Sequence, residues 1–285
     1  MQKIQVNALL SLCLTLMMLW TCPALAAQAE TKEAILLVAF GTSVQEAQTS
    51  YANVEKQVRA AFPGKEIQWA WTANSLLKSD PKTPRLSVQE ALAKLATGGV
   101  QKVSILSLHI IPGSEYSNLA QTARAFEGLP KGIREIKLSQ PLLHDTDSLS
   151  HIAQLLLRSS PKERKPDEAI VFVGHGTHHP AGAFYPALQY YLHTQDKNVF
   201  IGTIEGSPSL EGVLKALKAN SIRKVWLIPL MTVARDHAVN DMFGPEKNSW
   251  RQIFMANGIK VETVNKGLEE YPALVEQWVK NLKDA

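Results

Sequence analysis

Residues 169–177 read AIVFVGHGT, and residues 34–42 read AILLVAFGT. Each stretch is an apolar run that ends in a glycine turn, which is typical of a strand buried on both faces of a parallel sheet. A second pair is similar in the same way, because KVSILSLHII from Lys102 can be aligned with KVWLIPLMTV from Lys224. The sequence therefore predicts two copies of one α/β unit.

Apolar runs rich in valine, isoleucine and leucine recur along both halves, with helical patterns between them. Strands that alternate with helices predict parallel sheets joined by right-handed crossover connections. We therefore expect an α/β fold with two similar Rossmann-like lobes, each a parallel sheet flanked by helices, and a cleft between the lobes. The predicted strands are 34–40, 67–71, 103–109, 133–138, 169–173, 199–204, 225–230 and 259–264, and the predicted helices include 45–61, 88–96, 116–126 and 148–159.

A boundary between the lobes is predicted at 159–167, where SSPKERKPD combines charge with two prolines and has no apolar periodicity. We expect an N-terminal lobe at 30–160 and a C-terminal lobe, carrying the functional site, at 167–267. Residues 268–285 contain an amphipathic pattern, and we predict that they form a helix that packs back on the first lobe.

The first 26 residues resemble a secretory signal peptide. A short polar start precedes an apolar run from Ala8 to Trp20, and Ala24-Leu25-Ala26 offers a small-x-small cleavage site. The run is shorter than the roughly 20 residues that a membrane-spanning helix needs. We expect cleavage after Ala26 or Ala29, export to the periplasm, and no membrane span in the mature chain.

Composition narrows the kinds of ligand. Both cysteines, Cys13 and Cys22, lie in the segment expected to be removed, so any metal must be held by nitrogen and oxygen donors. The formal net charge of +4 at pH 7 suits an anionic small ligand. No basic block interleaved with aromatic residues predicts a nucleic-acid surface. The sequence leaves open whether the chain forms a homo-oligomer.

Three metal-capable side chains, His175, Glu205 and His237, each follow an apolar strand-like run. The carboxyl ends of parallel strands meet at one edge of a sheet, so these side chains can converge although they are far apart in sequence. Two imidazoles and a carboxylate suit a divalent transition metal such as cobalt, nickel, iron or zinc. Taken singly, each residue would more often be a solvated group at the start of a loop. The coincidence of three favours a metal site.

The glycine turns at 40–42 and 174–176 invite a nucleotide-phosphate interpretation. Neither turn has the spacing of the G-x-G-x-x-G or Walker A motif, so we expect neither ATP nor NAD. Gly174 and Gly176 are instead predicted to let the backbone turn sharply and to let a flat ligand approach the strand end closely.

Five motifs of the mature sequence form a recognisable set: AFGTS at 39–43, LHIIPGSEY at 108–116, GHGTHHPA at 174–181, EG at 205–206 and PLMTVARDHAVNDM at 229–242. On these motifs the mature sequence resembles the anaerobic cobaltochelatases, which insert a divalent metal into sirohydrochlorin without ATP and are related to the ferrochelatases. The resemblance implies a bilobal fold that holds an anionic tetrapyrrole in the cleft, with cobalt, or alternatively iron, as the metal substrate. The family's metal-binding His, Glu and His carry over to His175, Glu205 and His237.

The reaction gives each residue type a task. A tetrapyrrole must lose two N–H protons while the metal sheds its water, and a neutral imidazole can accept a proton or bind a metal near neutral pH. His175 is the first candidate for both catalytic tasks. Glu205 is predicted to hold the metal and relay protons, and His237 to supply a second nitrogen at the facing strand end.

Other side chains are predicted to bind the substrate. Phe40 offers a flat apolar surface, and Arg235 can pair with a substrate carboxylate. His109 is expected at a strand end, where it would contact substrate or act as an axial ligand to a haem-like ring; a structural, hydrogen-bonded histidine is the alternative. For Glu115 and Tyr116 the alternative is a helix start with an N-terminal capping role for Ser114 and its acidic neighbour Glu115. The predicted substrate-binding residues are Phe40, Gly41, Thr42, His109, Glu115, Tyr116 and Arg235.

The leading hypothesis is an exported, ATP-independent chelatase that inserts Co²⁺, or Fe²⁺, into a sirohydrochlorin-type ring. Export departs from the cytoplasmic role expected of this family, so a periplasmic carrier of metal, haem or another metallotetrapyrrole is the alternative. A two-lobed solute-binding protein for an unrelated ligand is a third class. Loss of metal affinity in His175→Ala is required by the chelatase hypothesis and is irrelevant to an ordinary solute site.

Overall fold

Two parallel sheets organise the part of the chain that the structure describes. This computed structural model describes residues 31–41, 45–73, 77, 85–234 and 237–285, and at 45–50 and 237–239 it describes the backbone alone. The expected signal peptide, Thr42 and Arg235 lie outside the described residues. Lys32–Ala285 form one compact unit. No helix among the described residues has both the length and the apolar character needed to cross a membrane.

The first sheet has the strand order β2-β1-β3-β4, and all of its strands run parallel. Its helices connect successive strands, and the last of them leads to the second sheet. The elements are β1 (Glu33–Ala39), α1 (Gln45–Ala61), β2 (Glu66–Trp71), α2 (Val88–Thr97), β3 (Lys102–Ser107), α3 (Ser114–Phe126), β4 (Glu135–Leu138) and α4 (Thr146–Arg158).

The second sheet repeats this plan in the order β6-β5-β7-β8. Short 3-10 helices at Pro180–Ala183 and Leu268–Glu270 precede the first and last of its helices. The elements are β5 (Ala169–Gly176), α5 (Phe184–His193), β6 (Val199–Glu205), α6 (Leu210–Ala219), β7 (Lys224–Pro229), α7 (His237–Phe243), α8 (Trp250–Ala256), β8 (Lys260–Thr263) and α9 (Pro272–Lys283).

The predicted internal repeat is confirmed by the strand pairing. The β1–β3 pair aligns Ala34 with Val103, and the β5–β7 pair aligns Ala169 with Val225. A further hydrogen bond continues each pair beyond its last paired residues. Leu108 N–H donates to the Val38 carbonyl at 2.9 Å, and Leu230 N–H donates to the Val173 carbonyl at 2.8 Å. These contacts join the residues that the sequence alignment of the two halves makes equivalent.

Alternation along the strands divides the core into three layers of apolar contacts. In β1, Ile35 and Leu37 face a central layer, whereas Leu36 and Val38 face an outer layer covered by α2 and α3. The second sheet is arranged in the same way, with α6 and α8 on its outer face. The central layer is formed by α1, α4, α5 and α9, and it packs against both sheets.

The last helix, α9, contributes its apolar face to this central layer. Trp278 and Leu274 are fully buried there, and the helix packs against α1 and β3. The Asn281 side chain donates to the Gln140 carbonyl at 3.3 Å. A segment that follows the second sheet in the chain therefore completes the packing of the first sheet.

All eight predicted strands are confirmed, but several of their ends were predicted wrongly. β3 stops at Ser107, so His109 lies beyond the strand, whereas β5 and β6 continue through His175 and Glu205. The apolar pattern could not place these ends, because pairing with a neighbour, and not hydrophobicity, decides where a strand stops.

Candidate functional site

The strand orders define one crevice in each sheet. The chain passes from β1 to β2 in one direction and then to β3 in the other, so the carboxyl ends of β1 and β3 flank a topological switch point. The ends of β5 and β7 flank the equivalent point in the second sheet. Ligands of open α/β sheets bind at such points. The first carries Phe40, Gly41 and His109, and the second carries His175.

A hydrogen bond connects the two switch points. Thr232, which follows β7, donates its hydroxyl to the Leu108 carbonyl at 2.7 Å. The segment that follows β8 holds the same stretch after β7, since Leu268 N–H donates to the Met231 carbonyl at 2.9 Å. The ends of β3 and β7 are therefore in contact, although they belong to different sheets.

His175 and Glu205 occupy the ends of adjacent strands. The pairing of β5 with β6 places Gly176 opposite Glu205, and the side chains of His175 and Glu205 are both exposed. Strict alternation would direct these two side chains to opposite faces of the sheet, so they can converge only above the strand ends. That region borders the second switch point, because β5, which carries His175, lies between β6 and β7.

The imidazole of His175 is oriented by its own backbone. Its Nδ1 lies 3.3 Å from the Gly176 carbonyl oxygen, which can only accept a hydrogen bond, so Nδ1 carries the hydrogen. The lone pair of the neutral ring is then on Nε2. A donor bond from one nitrogen to a carbonyl is the usual arrangement for a histidine that binds a metal through the other nitrogen.

The glycines around His175 make room for protein atoms, and the close approach of a flat ligand to them stays a prediction. A Cβ on Gly174 would lie 2.4 Å from Cε1 of the buried Tyr185 ring. A Cβ on Gly176, which has φ of 82°, would lie 1.8 Å from the Glu205 carbonyl oxygen. Backbone and ring contacts of this kind hold the two strand ends together.

His237 does not stand at a strand end as predicted. β7 ends at Pro229, and His237 is the first residue of α7. Its side chain lies outside the described part of the chain. Among the side chains that are described, no three His, Cys, Asp or Glu residues form a group that could hold a metal. The structure thus brings the strand ends of His175 and Glu205 together, and the three-ligand site stays a prediction.

Phe40 and Gly41 leave the end of β1 at the first switch point. Phe40 is 53% exposed, so its aromatic ring is accessible at the end of β1, and its role as a flat surface for the substrate stays a prediction. Gly41 has φ of 100°, and its backbone makes a hydrogen bond to the buried Tyr51 hydroxyl. Burial raises the pKa of Tyr51, so this hydroxyl stays protonated. Thr42, the third substrate-binding residue predicted at this turn, lies outside the described residues.

His109 is half-buried, two residues beyond the end of β3. Its Nδ1 lies 2.9 Å from the Ser107 hydroxyl oxygen, and its Nε2 lies 3.5 Å from Oγ1 of Thr72. Burial lowers the pKa of His109 to about 4, so the imidazole is neutral near pH 7. Ser107 is itself buried and donates its backbone N–H to the Ser139 hydroxyl at 2.9 Å.

Glu115 and Tyr116 lie in the first turn of α3, as predicted, and of the capping alternative the acidic residue in the first turn is confirmed whereas the Ser114 cap is wrong. Gly113 is the N-cap residue, and Ser114 is already the first residue of the helix without a side-chain capping bond. Tyr116 is half-buried and donates its hydroxyl to the Ser139 carbonyl at 3.3 Å. Burial raises the pKa of Tyr116. The predicted carboxylate partner Arg235 lies outside the described residues.

Two tyrosines that shape the site were missed in the sequence analysis. Tyr185 accepts a hydrogen bond from Gly176 N–H at 3.4 Å, and Tyr51 has the equivalent relation to Gly41. Each tyrosine lies in the first α-helix after its glycine turn, so both lobes use one device to hold the turn. The signal was available, because a tyrosine follows each GT turn at nearly the same distance.

Comparison with known proteins agrees with the family resemblance. A family model described as cobalt chelatase (CbiK) matches residues 33–285. The sirohydrochlorin cobaltochelatase CbiKC of Nitratidesulfovibrio vulgaris (strain Hildenborough) is 37% identical over 259 residues, which cover 90% of this chain and 91% of that protein. The sirohydrochlorin cobaltochelatase of Salmonella typhimurium (strain LT2) is 32% identical over 258 residues, covering 89% of this chain and 96% of that protein.

A solved structure supports the fold independently of these sequences. The sirohydrochlorin chelatase SirB from Bacillus subtilis subspecies spizizenii, in complex with cobalt, is similar with a TM-score of 0.57 at 14% identity. The similarity covers 89% of this chain and 94% of that chain. At this identity the likeness concerns the arrangement of two α/β lobes. With the family match over residues 33–285 and two relatives above 30% identity, the chain belongs to the cobalt chelatase (CbiK) family.

Proposed function

We propose that this chain inserts a divalent metal, Co²⁺ in the first instance and Fe²⁺ as an alternative, into sirohydrochlorin without ATP. The observation that carries the proposal is the match to sirohydrochlorin cobaltochelatases over about nine-tenths of the chain. The strand-end crevices of both lobes supply a site that suits this reaction. Neither glycine turn has the spacing of a nucleotide-binding motif, which supports a reaction that needs no ATP.

The reaction exchanges two pyrrole N–H protons for one dication, so the protein must bind the metal weakly and accept protons. His175 suits both tasks, because Nδ1 is held by the Gly176 carbonyl and the Nε2 lone pair is left for the metal or a proton. Glu205, on the adjacent strand end, contributes a negative charge that attracts the dication and can accept the second proton. His237 is the proposed third ligand.

The ring is proposed to lie across the strand ends. Phe40 offers exposed aromatic surface at the first switch point, and Gly41 turns the chain away beside it. Glu115 and Tyr116, at the start of α3, border the same region. Arg235 is the proposed partner of a substrate carboxylate, since its planar guanidinium can form two parallel hydrogen bonds to such a group.

The decisive experiment follows the absorbance of sirohydrochlorin during insertion of Co²⁺ and of Fe²⁺ by the mature protein. The controls are a reaction without protein and the variants His175→Ala and His151→Ala. His151 is an exposed histidine of α4 outside the proposed site. We expect wild type and His151→Ala to accelerate metallation and His175→Ala to lose the acceleration. Equal metallation rates with and without protein, together with tight binding of the ring or the metal, would show that the protein is a carrier and does not catalyse insertion.

We also propose that the protein acts in the periplasm. The proposal is supported by the charged start, apolar run and Ala24-Leu25-Ala26 site in the first 26 residues. Cell fractionation of the full-length chain and of a variant that begins at Ala27 tests it. Full-length protein should appear in the periplasmic fraction with its N-terminus at Ala27 or Glu30, and the shortened variant should stay in the cytoplasm. An uncleaved, cytoplasmic full-length chain would refute export.

A further inference from the structure

We propose that His109 binds a carboxylate group of the tetrapyrrole substrate through its Nε2–H. This inference rests on the proposed function, because it assigns one side chain of the first lobe to the ring that the second lobe would metallate. His109 becomes a substrate-binding residue with a defined tautomer, which distinguishes this role from axial ligation of haem and from a purely structural histidine.

The position of His109 places its ring at the first switch point. In the strand order β2-β1-β3, β1 lies between the strand that precedes His109 and the strand that precedes Thr72. The His109 ring nevertheless comes within 3.5 Å of Thr72 Oγ1, so it reaches across the carboxyl end of β1. Thr72 N–H donates to the carbonyl of Ala39, the last residue of β1, at 3.0 Å. The Thr72 side chain and the His109 ring therefore lie beside the point where Phe40 and Gly41 leave β1.

The tautomer follows from the partner of the buried Ser107 hydroxyl. Ser107 Oγ already accepts the His109 backbone N–H at 3.4 Å, and a buried hydroxyl hydrogen also needs an acceptor. Among the contacts described for Ser107, that acceptor is His109 Nδ1 at 2.9 Å. Ser107 therefore donates to Nδ1, and Nε2 carries the ring hydrogen.

The Nε2–H is available to a ligand. Its contact with Thr72 Oγ1, at 3.5 Å, is longer than the usual range of 2.7–3.2 Å for a hydrogen bond, so an acceptor of better geometry can replace it. Because burial lowers the pKa of His109, the ring is a neutral donor near pH 7. In this tautomer Nε2 has no lone pair for haem iron, whereas a carboxylate is a strong acceptor for it.

Replacing His109 by Gln or by Asn tests whether a hydrogen-bond donor is needed at the position of Nε2. The amide nitrogen of Gln reaches about as far as Nε2, whereas that of Asn reaches only as far as Nδ1. With sirohydrochlorin and Co²⁺, we expect His109→Asn and His109→Leu to raise KM about tenfold with kcat nearly unchanged, as for one lost hydrogen bond to a charged group. His109→Gln should stay within about threefold of wild type. The control is His151→Leu, at an exposed histidine outside the site.

A substrate without charge tests the carboxylate directly. With the fully methyl-esterified macrocycle, the KM values of wild type and His109→Asn should differ by less than about threefold, because an ester carbonyl is a neutral and weaker acceptor than a carboxylate. A KM increase in His109→Asn that persists with the ester, an unchanged KM with sirohydrochlorin, or a loss of kcat alone would each overturn the assignment. The Asn and Gln variants keep a polar side chain, so they retain the comparison if His109→Leu fails to fold.

Binding measured without metal distinguishes this inference from the proposed function. Titration of metal-free sirohydrochlorin into each variant, followed by absorbance, gives a Kd that does not depend on turnover. A Kd weakened about tenfold in His109→Asn supports the assignment even if the chain only carries the ring. Equal affinity of wild type and His109→Asn overturns the assignment alone. Failure of wild type both to bind and to metallate the ring overturns the proposed function and the assignment together.

Discussion

At the scale of single residues, the two lobes differ most where their backbones are equivalent. Phe40 stands where His175 stands in the second lobe, and His109 stands where Met231 stands. The first lobe therefore presents an aromatic surface and an N–H donor at its switch point, whereas the second presents candidate metal ligands. The same turn therefore carries substrate-binding side chains in one lobe and candidate metal ligands in the other. This division suits a reaction that must hold a ring and a metal at once.

Gly176 shows how tightly the second switch point is packed. Its φ of 82° disfavours any side chain, and a Cβ would in addition collide with the Glu205 carbonyl oxygen at 1.8 Å. Gly64 is a matched control, because its φ of 79° is similar but its Cβ direction is open. We expect Gly64→Ala to lower the free energy of unfolding by about 1 kcal/mol and Gly176→Ala by about 3 kcal/mol or more. Urea unfolding measures both.

Metal insertion should follow the same order. Gly64→Ala should keep the wild-type rate, since Gly64 lies before β2, away from the strand ends. Gly176→Ala should lose the rate, because it displaces the backbone that aligns His175 with Glu205. Similar unfolding free energies in the two variants would mean that the contact with Glu205 can relax, contrary to this expectation.

The half-buried imidazole of His109 should make the fold sensitive to acid. Its folded pKa, about 4, is below the ordinary value of 6.5, so the unfolded chain takes up this proton first as pH falls. The stability that depends on the neutral ring is therefore present above about pH 6.5 and is lost progressively toward pH 4, by roughly 3 kcal/mol. His109→Gln cannot titrate and should lose less stability between about pH 7 and pH 4.5. An equal loss in both proteins would assign the acid sensitivity to other groups.

At this scale the sequence predicted residue types better than the reasons for them. The glycines beside His175 were identified, but the atoms that require them belong to Tyr185 and Glu205, which pattern analysis does not connect to the turn. The tautomer of His109 depends on Ser107, whose burial follows from tertiary packing. Three-dimensional contacts of this kind leave no periodic signal in one chain.

At the scale of elements, the edge strand β6 has backbone groups that no neighbouring strand pairs with. β6 is an edge strand whose side chains from Val199 to Thr203 are buried. The Gln189 side chain of α5 pairs with that edge, because its amide donates to the Val199 carbonyl at 2.8 Å and accepts from Ile201 N–H at 2.5 Å. A side-chain amide thus takes the place of a neighbouring strand and protects the edge from other chains.

Removing this amide should uncover the edge. We expect Gln189→Leu to lower the free energy of unfolding by about 2 kcal/mol, because two buried backbone groups lose their partner. The variant should also self-associate with rising concentration, measured by size-exclusion chromatography. Gln121→Leu, at an exposed position of α3, is the control for added surface hydrophobicity. A monomeric and fully stable Gln189→Leu would show that the edge needs no such cover.

Element prediction from the sequence succeeded for the strands and failed at their carboxyl ends. Apolar runs located β1 to β8, since buried parallel strands are nearly continuous in hydrophobicity. His109 was placed in a strand and His237 at a strand end, yet the former follows β3 and the latter begins α7. The candidate site residues lie where the apolar runs stop, so hydrophobic periodicity cannot predict the secondary structure of these residues.

At the scale of the whole molecule, the central layer binds the two sheets into one structure. Residues from β1 and β5 and from α1, α4, α5 and α9 share a single apolar cluster. The predicted lobes 30–160 and 167–267 are therefore not independent in their packing, and their boundaries stay predictions. The alignment of the halves predicted the repeat, but it could not show that the repeats share a core.

This shared core should make unfolding cooperative. Trp278 is fully buried in the central layer, and Trp278→Ala should lower the free energy of unfolding by about 3–5 kcal/mol through the cavity it leaves. Amide hydrogen exchange should then accelerate together in β1 and β5. Faster exchange confined to the first sheet would instead show that each lobe has a separate unfolding equilibrium.

The place of α9 in the chain has a consequence for how the molecule is made. The first sheet is synthesised early, whereas the helix that covers part of it, with Trp278 and Leu274, is synthesised only after the second sheet. A nascent or prematurely terminated chain that lacks α9 therefore keeps an apolar face open to chaperones and proteases. Packing of the first sheet has to wait for Pro272–Lys283, so the cell can recognise a copy without this helix by its exposed surface alone.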